Sequence, residues 1–268
     1  PYEMRVLSID LDFIMAPTDH ISREIAFHNN PLVRWDAFFS TSRYKKEELH
    51  YDEDKLIFVQ NLFSEAIKHC DNVKFGYDHD SILYHIAEYE SIDLINIDEH
   101  DDVLMCDYDF VKSERRSFEQ EVDYMLHYDA VNEGNWIGWL NVKKKLKSLV
   151  WIANKYSLIG RKKQFVQDFI DDYTYDDDGS YQIDNYKFDH IFVCLSPQYI
   201  PAHHWNVMNW FIEKYENHSG TKVDPSDWDN KKFEIEYLHR KVTDAILHKR
   251  ANDWKPVSGS WSRRRTEI

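Results

Sequence analysis

Asp98, His100 and Asp102 stand at alternate positions in the run Asp98-Glu99-His100-Asp101-Asp102. In extended backbone, alternate side chains share one face, so three metal-type ligands converge without help from the rest of the chain. A solvated acidic turn is the plain alternative; the apolar run LINI directly before it favours ligands. Asp10 and Asp12 repeat the pattern in Ser8-Ile9-Asp10-Leu11-Asp12, after the run VLSI. Alone, that pair is ambiguous. It also opens haloacid-dehalogenase-type phosphatases, where the first Asp is a nucleophile, and it occurs in Mg-dependent nucleases. His79 sits in Gly76-Tyr77-Asp78-His79-Asp80-Ser81. One His among 14 carries little weight, but Asp98 follows it by 19 residues, about one helix plus one strand.

Together these segments offer four carboxylates and two imidazoles. Oxygen-rich ligation with some nitrogen suits Mn²⁺, with Fe²⁺, Co²⁺ or Zn²⁺ as alternatives. A structural zinc site would use Cys, and none lies nearby. Six ligands exceed the need of one Zn²⁺ and match two ions. Such a pair, roughly 3.5 Å apart, ionises a bridging water at neutral pH.

The elements that must position these residues are short apolar runs. Residues 5–9 and 92–97, the segment VKFGYD and residues 189–196 read as strands. Residues 54–69, 81–90, 113–127, 203–217 and 229–250 read as helices. Residues 20–50 read as irregular structure or short helices, and 136–153 as a mixed apolar and basic stretch. The acidic, turn-rich segment 171–185 reads as a loop. Alternating strands and helices predict an α/β fold, three layers with a mostly parallel central sheet. Ligand sites of such folds lie beyond the C-terminal strand ends, where three of the predicted strands carry polar clusters. The domain expected spans 1–256, with a polar, basic tail at 257–268.

The 268 residues carry 33 Lys and Arg against 48 Asp and Glu, a formal charge of −15. That balance repels phosphates and anionic lipids, so neither nucleic acid nor membrane is expected as a partner. Three cysteines, an odd number without a CxxC pair, argue against a disulfide framework. With no visible signal peptide or membrane span, the expected location is the cytoplasm.

The three segments resemble the metal motifs of the ureohydrolase (arginase/agmatinase) superfamily, whose fold is the arginase/deacetylase-like one. Its G-G-D-H-S, D-A-H-x-D and S-x-D-x-D match Gly76–Asp80, Asp98–Asp102 and Ser8–Asp12. The resemblance implies metal ligands at Asp10, Asp12, His79, Asp98, His100 and Asp102. Asp98 and Asp10 would bridge the ions, His79 and Asp102 would complete one site, and His100 and Asp12 the other. Arginases place S-x-D-x-D last, whereas here it comes first, which looks like a circular permutation. With NEGNW at 132–136 and CLSPQYIP at 194–201, this order resembles the UPF0489 group. That group includes peptide arginases of bacterial ribosomal-peptide natural-product (RiPP) pathways.

The implied reaction is hydrolysis of an arginine side chain in a precursor peptide, giving ornithine and urea by attack of a hydroxide held by two Mn²⁺. Glu133 would orient the guanidinium or move a proton, unless it is only a turn residue. His127, His203 and His204 are candidate proton shuttles, each with a solvated or packing role as the alternative. Ser196-Pro197-Gln198-Tyr199 would line the pocket wall. Three other readings stay open: a Mg-dependent phosphatase using Asp10 and Asp12, an amide deacetylase of the same fold, and a binding protein whose acids are merely solvated.

Overall fold

The computed structural model of the chain describes residues 3–16, 30–41, 45–103, 122, 126, 130–154, 166, 170–177 and 180–224. The chain divides into two compact units, Pro1–Asp229 and Asn230–Ile268, and every described residue lies in the first. The helix predicted at 229–250 and the tail at 257–268 fall outside the described residues, as does nearly all of 113–127.

The strands are β1 (Glu3–Asp10), β2 (Met15–Ala16), β3 (His50–Tyr51), β4 (Val73–Gly76), β5 (Ser91–Asp98), β6 (Leu146–Ala153), β7 (Tyr173–Asp176) and β8 (His190–Cys194). The helices are α1 (Pro31–Thr41), α2 (Glu53–Ala66), α3 (Leu83–Ile86), α4 (Trp136–Val142) and α5 (Val207–Ser219). Six strands form one sheet in the order β4-β8-β1-β5-β6-β7, and every pairing in it is parallel. β2 and β3 form a separate antiparallel ribbon.

Side-chain alternation along the strands divides the core in two. Leu7, Ile9, Ile95, Ile97, Ile191 and Val193 face one side, with Val59, Leu62 and Phe63 of α2 and Met208, Phe211 and Ile212 of α5. Met4, Val6, Ile92, Leu94 and Phe192 face the other, with Leu83 and Ile86 of α3 and Trp136, Trp139 and Leu140 of α4. This is the three-layer α/β arrangement that the alternating pattern predicts. Asp52 caps α2 by accepting the Lys55 N–H at 3.2 Å, with Glu53 and Asp54 in the first turn.

The structure departs from the sequence-based expectation at β7 and at residues 81–90, and it resolves two stretches, 31–41 and 136–153, that the sequence left open. β7 lies inside the predicted loop 171–185. Its Tyr-Thr-Tyr core has strand propensity that the surrounding acids concealed, and it occupies the sheet edge. The stretch 136–153 resolves into α4 followed by β6. Residues 31–41, within a segment read as irregular or short helices, form the three-turn α1. The helix expected over 81–90 is a 3₁₀ turn, His79–Ile82, running into the single turn α3.

Candidate metal centre

Strand register brings the polar segments together at one edge of the sheet. Ile9 of β1 pairs with Ile97 of β5, so Asp10 and Asp98 end adjacent strands side by side. On the other flank, Cys194 of β8 pairs with both Asp10 and Gly76. His79 therefore enters from the end of β4, two strands from Asp10. Gly76 makes this turn possible: a Cβ there would meet Phe192 Cζ at 2.8 Å and Ser81 Oγ at 2.9 Å.

Two groups of ligand atoms result. Asp10, His79 and Asp98 form one, all buried, and their ligand atoms lie within 4.8 Å of one another. His79 Nδ1 faces Asp98 Oδ2 at 3.0 Å, Asp102 Oδ2 at 3.0 Å and Asp10 Oδ2 at 3.2 Å. It makes no hydrogen bond, although the ring is buried. Neighbouring ligands of an octahedral ion bound at about 2.1 Å stand about 3.0 Å apart. These residues thus fit a metal ion. Ser8 Oγ meets His79 Nε2 at 2.7 Å and fixes the ring from behind, as partners of metal-ligating imidazoles do.

The second group contains Asp12, Glu99 and His100. His100 Nδ1 lies 2.9 Å from Asp12 Oδ2 and 3.7 Å from Asp98 Oδ1. Asp98 thus turns one oxygen to each group, the disposition of a bridging ligand. Asp10 Oδ1 accepts the Asp12 N–H at 3.0 Å, as Asp98 Oδ1 accepts the His100 N–H at 2.7 Å. Asp12 Oδ2 is buried without a hydrogen-bond partner.

Other side chains brace the ligands. Trp136 Nε1 donates to Asp102 Oδ2 at 2.7 Å, and Ser196 Oγ donates to Asp10 Oδ2. Asp102 sits at φ 51°, in the left-handed region, and its carbonyl accepts the N–H groups of Ile137 and Gly138 from α4. Trp136 and Ser196 were not in the ligand set read from sequence. Nothing in their spacing identifies them, because both reach the site only once the chain has folded.

The electrostatics follow from burial and crowding. Burial, then the charges of Asp10 and Asp98, push Asp12 well above the usual carboxylate range. Burial and the Asp98 charge do the same to Asp102. Burial would also raise Asp98, but His100 and His79 hold it well below its ordinary value. Burial would depress both imidazoles, yet the carboxylates around them raise each well above the normal histidine range. A divalent cation is the other way to balance so many buried acids.

A cavity of about 110 Å³ opens onto this cluster, lined by Asp10, His100, Asp101, Asp102, Glu133, Gly134 and Tyr199. Glu133 and Tyr199 thus reach the site as the sequence suggests. Burial pushes the Tyr199 phenol up to about 12, so it stays a hydroxyl donor. Its ring centroid stands 4.7 Å from that of His100. Arg34 supports it from behind, with its guanidinium carbon 5.2 Å from the ring centroid and Nη1 on Gln198 at 3.3 Å. His203 is not brought in. It is exposed, 4.1 Å from the His204 ring and 6.2 Å from that of Phe39, and does not line the cavity. His204 binds the Leu49 carbonyl at 2.6 Å. His127 lies outside the described residues.

Fold and cluster together define a three-layer α/β protein with a buried Asp/His group that could hold a metal ion. Among the described residues, no helix is long and apolar enough to cross a membrane. No protein-family model, curated protein or solved structure matches the chain.

Proposed function

We propose that the protein is a dinuclear metallohydrolase of the arginase type, acting on arginine side chains in a peptide to give ornithine and urea. One observation carries this reading. All six residues of the three motifs converge at one strand edge, around His79 Nδ1 and Asp12 Oδ2, two buried atoms without hydrogen bonds. A phosphatase built on Asp10 and Asp12 would have no use for the second imidazole group.

Asp10, His79, Asp98 and Asp102 would hold one ion, and Asp12, His100 and the second oxygen of Asp98 the other. The oxygen-rich set favours Mn²⁺, with Fe²⁺, Co²⁺ and Zn²⁺ as alternatives. When bound, such a pair supplies a water ionised at neutral pH and stabilises charge at the reacting carbon.

The chain's own groups do the rest. Glu133 stands on the cavity wall, where a carboxylate accepts hydrogen bonds from a guanidinium and can pass a proton to the departing amine. Tyr199 offers a neutral hydroxyl on the same wall. The cavity, about 110 Å³, is well below the roughly 300–1,000 Å³ of pockets that enclose whole small molecules. It suits the end of an arginine side chain, with the rest of the substrate outside it. The permuted motif order is no obstacle, because the site depends on where strands lie in the sheet. A precursor peptide made and modified in the cytoplasm is the partner that this reading implies.

The test is to incubate Mn-loaded protein with an arginine-containing peptide and, separately, with free arginine. Urea should appear with the peptide, together with a loss of about 42 Da per arginine as guanidinium becomes amine. No urea from either substrate, with metal fully loaded, would sink the arginase reading.

A further inference from the structure

The alternation of Asp98, His100 and Asp102 would send Glu99 to the opposite face of an extended chain. The chain does not stay extended. β5 ends at Asp98, and a bend follows at Glu99 and His100. The His100 N–H turns back to Asp98 Oδ1 at 2.7 Å, and the Glu99 N–H donates to Asp12 Oδ1 at 3.3 Å. The bend carries Glu99 inward, to 6% exposure, beside Asp12 and His100.

We propose that Glu99 is a third protein ligand at the second metal position, beside Asp12 and His100. This rests on the two-metal reading above and goes beyond it, since the D-A-H-x-D motif has alanine at this place. The ligand atoms of the three residues lie within 4.8 Å of one another. Asp12 Oδ2, buried and without a hydrogen bond, points into the group and lies 2.9 Å from His100 Nδ1. Two carboxylates and one imidazole form an oxygen-rich set suited to Mn²⁺.

Both positions border the cavity, the first through Asp10 and Asp102 and the second through His100, which is 26% exposed at its side chain. Glu99 also changes the charge. The five ligand carboxylates exceed the charge of two divalent ions by one, where four would equal it. A cationic guanidinium is favoured by that excess.

Calorimetric titration with Mn²⁺ tests this on the wild type, Glu99→Gln and Glu99→Asp. The wild type should take up two ions. Glu99→Gln should bind the first as before and the second at least 10-fold more weakly, with partial recovery in Glu99→Asp. Electron paramagnetic resonance gives a second readout. Glu99→Gln with one equivalent of Mn²⁺ should show the six-line spectrum of an isolated ion, and a second equivalent should restore little spin coupling. Unchanged binding of the first ion shows that the variant is folded. Two ions of unchanged affinity in Glu99→Gln would overturn the assignment of Glu99 alone. A wild type that binds no ion would overturn the metal reading and this inference with it.

Discussion

Replacing Trp136 with Phe removes one hydrogen bond from the ligand set while keeping an aromatic ring beside His79. The indole N–H donates to Asp102 Oδ2 at 2.7 Å, and the Trp136 ring centroid lies 4.9 Å from that of His79. Trp136 is fully buried, and phenylalanine offers no donor in its place. A hydrogen bond to an ionised group contributes about 1.5–3 kcal/mol. Outer partners of metal ligands typically matter by about 10–100-fold in affinity, or about 1.4–2.8 kcal/mol. The two figures agree, so Mn²⁺ should bind Trp136→Phe about 10–100-fold more weakly. Calorimetric titration of the folded variant measures this. Affinity is referred to the folded metal-free protein, so packing lost with the smaller ring does not enter; a melting curve reports that loss separately. An unchanged affinity in a folded variant would refute the argument that Trp136 holds Asp102 in place as a ligand.

Gly76→Ala forces a Cβ to 2.8 Å from the buried Phe192 ring and 2.9 Å from Ser81 Oγ. It should cost about 1–3 kcal/mol, seen as a lower melting temperature; an unchanged midpoint would show that the β4 turn has room to spare. His190 is buried, its two ring nitrogens have no hydrogen-bond partner, and burial lowers its pKa to about 3. Its folded pKa lies below the unfolded value of about 6.5, so its contribution is complete above that pH and declines as pH falls toward 3. Between pH 7 and pH 5 the wild type should lose about 2 kcal/mol more than His190→Leu in denaturant titrations. Equal losses in the two proteins would mean that His190 is protonated in the fold.

The parallel sheet was legible because buried strands are short apolar runs, and RVLSI and IDLINI stand out as such. β7 was not, because Asp171, Asp172, Asp176 and Asp177 surround its Tyr-Thr-Tyr core. The six candidate ligands were legible because each motif keeps its ligands within five residues, and the sheet register brings the motifs together. Glu99 was hidden by the same alternation that exposed its neighbours, since that rule assumes an extended chain and the chain bends there. Trp136 and Ser196 reach the ligands only through the packing of α4 and the turn after β8, and no local spacing encodes that. His203 looked like a candidate by residue type alone, and its side chain is exposed beside Phe39 instead.

The central claim, that the cluster holds two metal ions, is tested most directly by anomalous diffraction from crystals soaked in Mn²⁺. Two peaks are predicted, one among Asp10, His79 and Asp98 and the other beside Asp12 and His100. A map at full occupancy of surface sites with no peak at this strand edge would contradict the account.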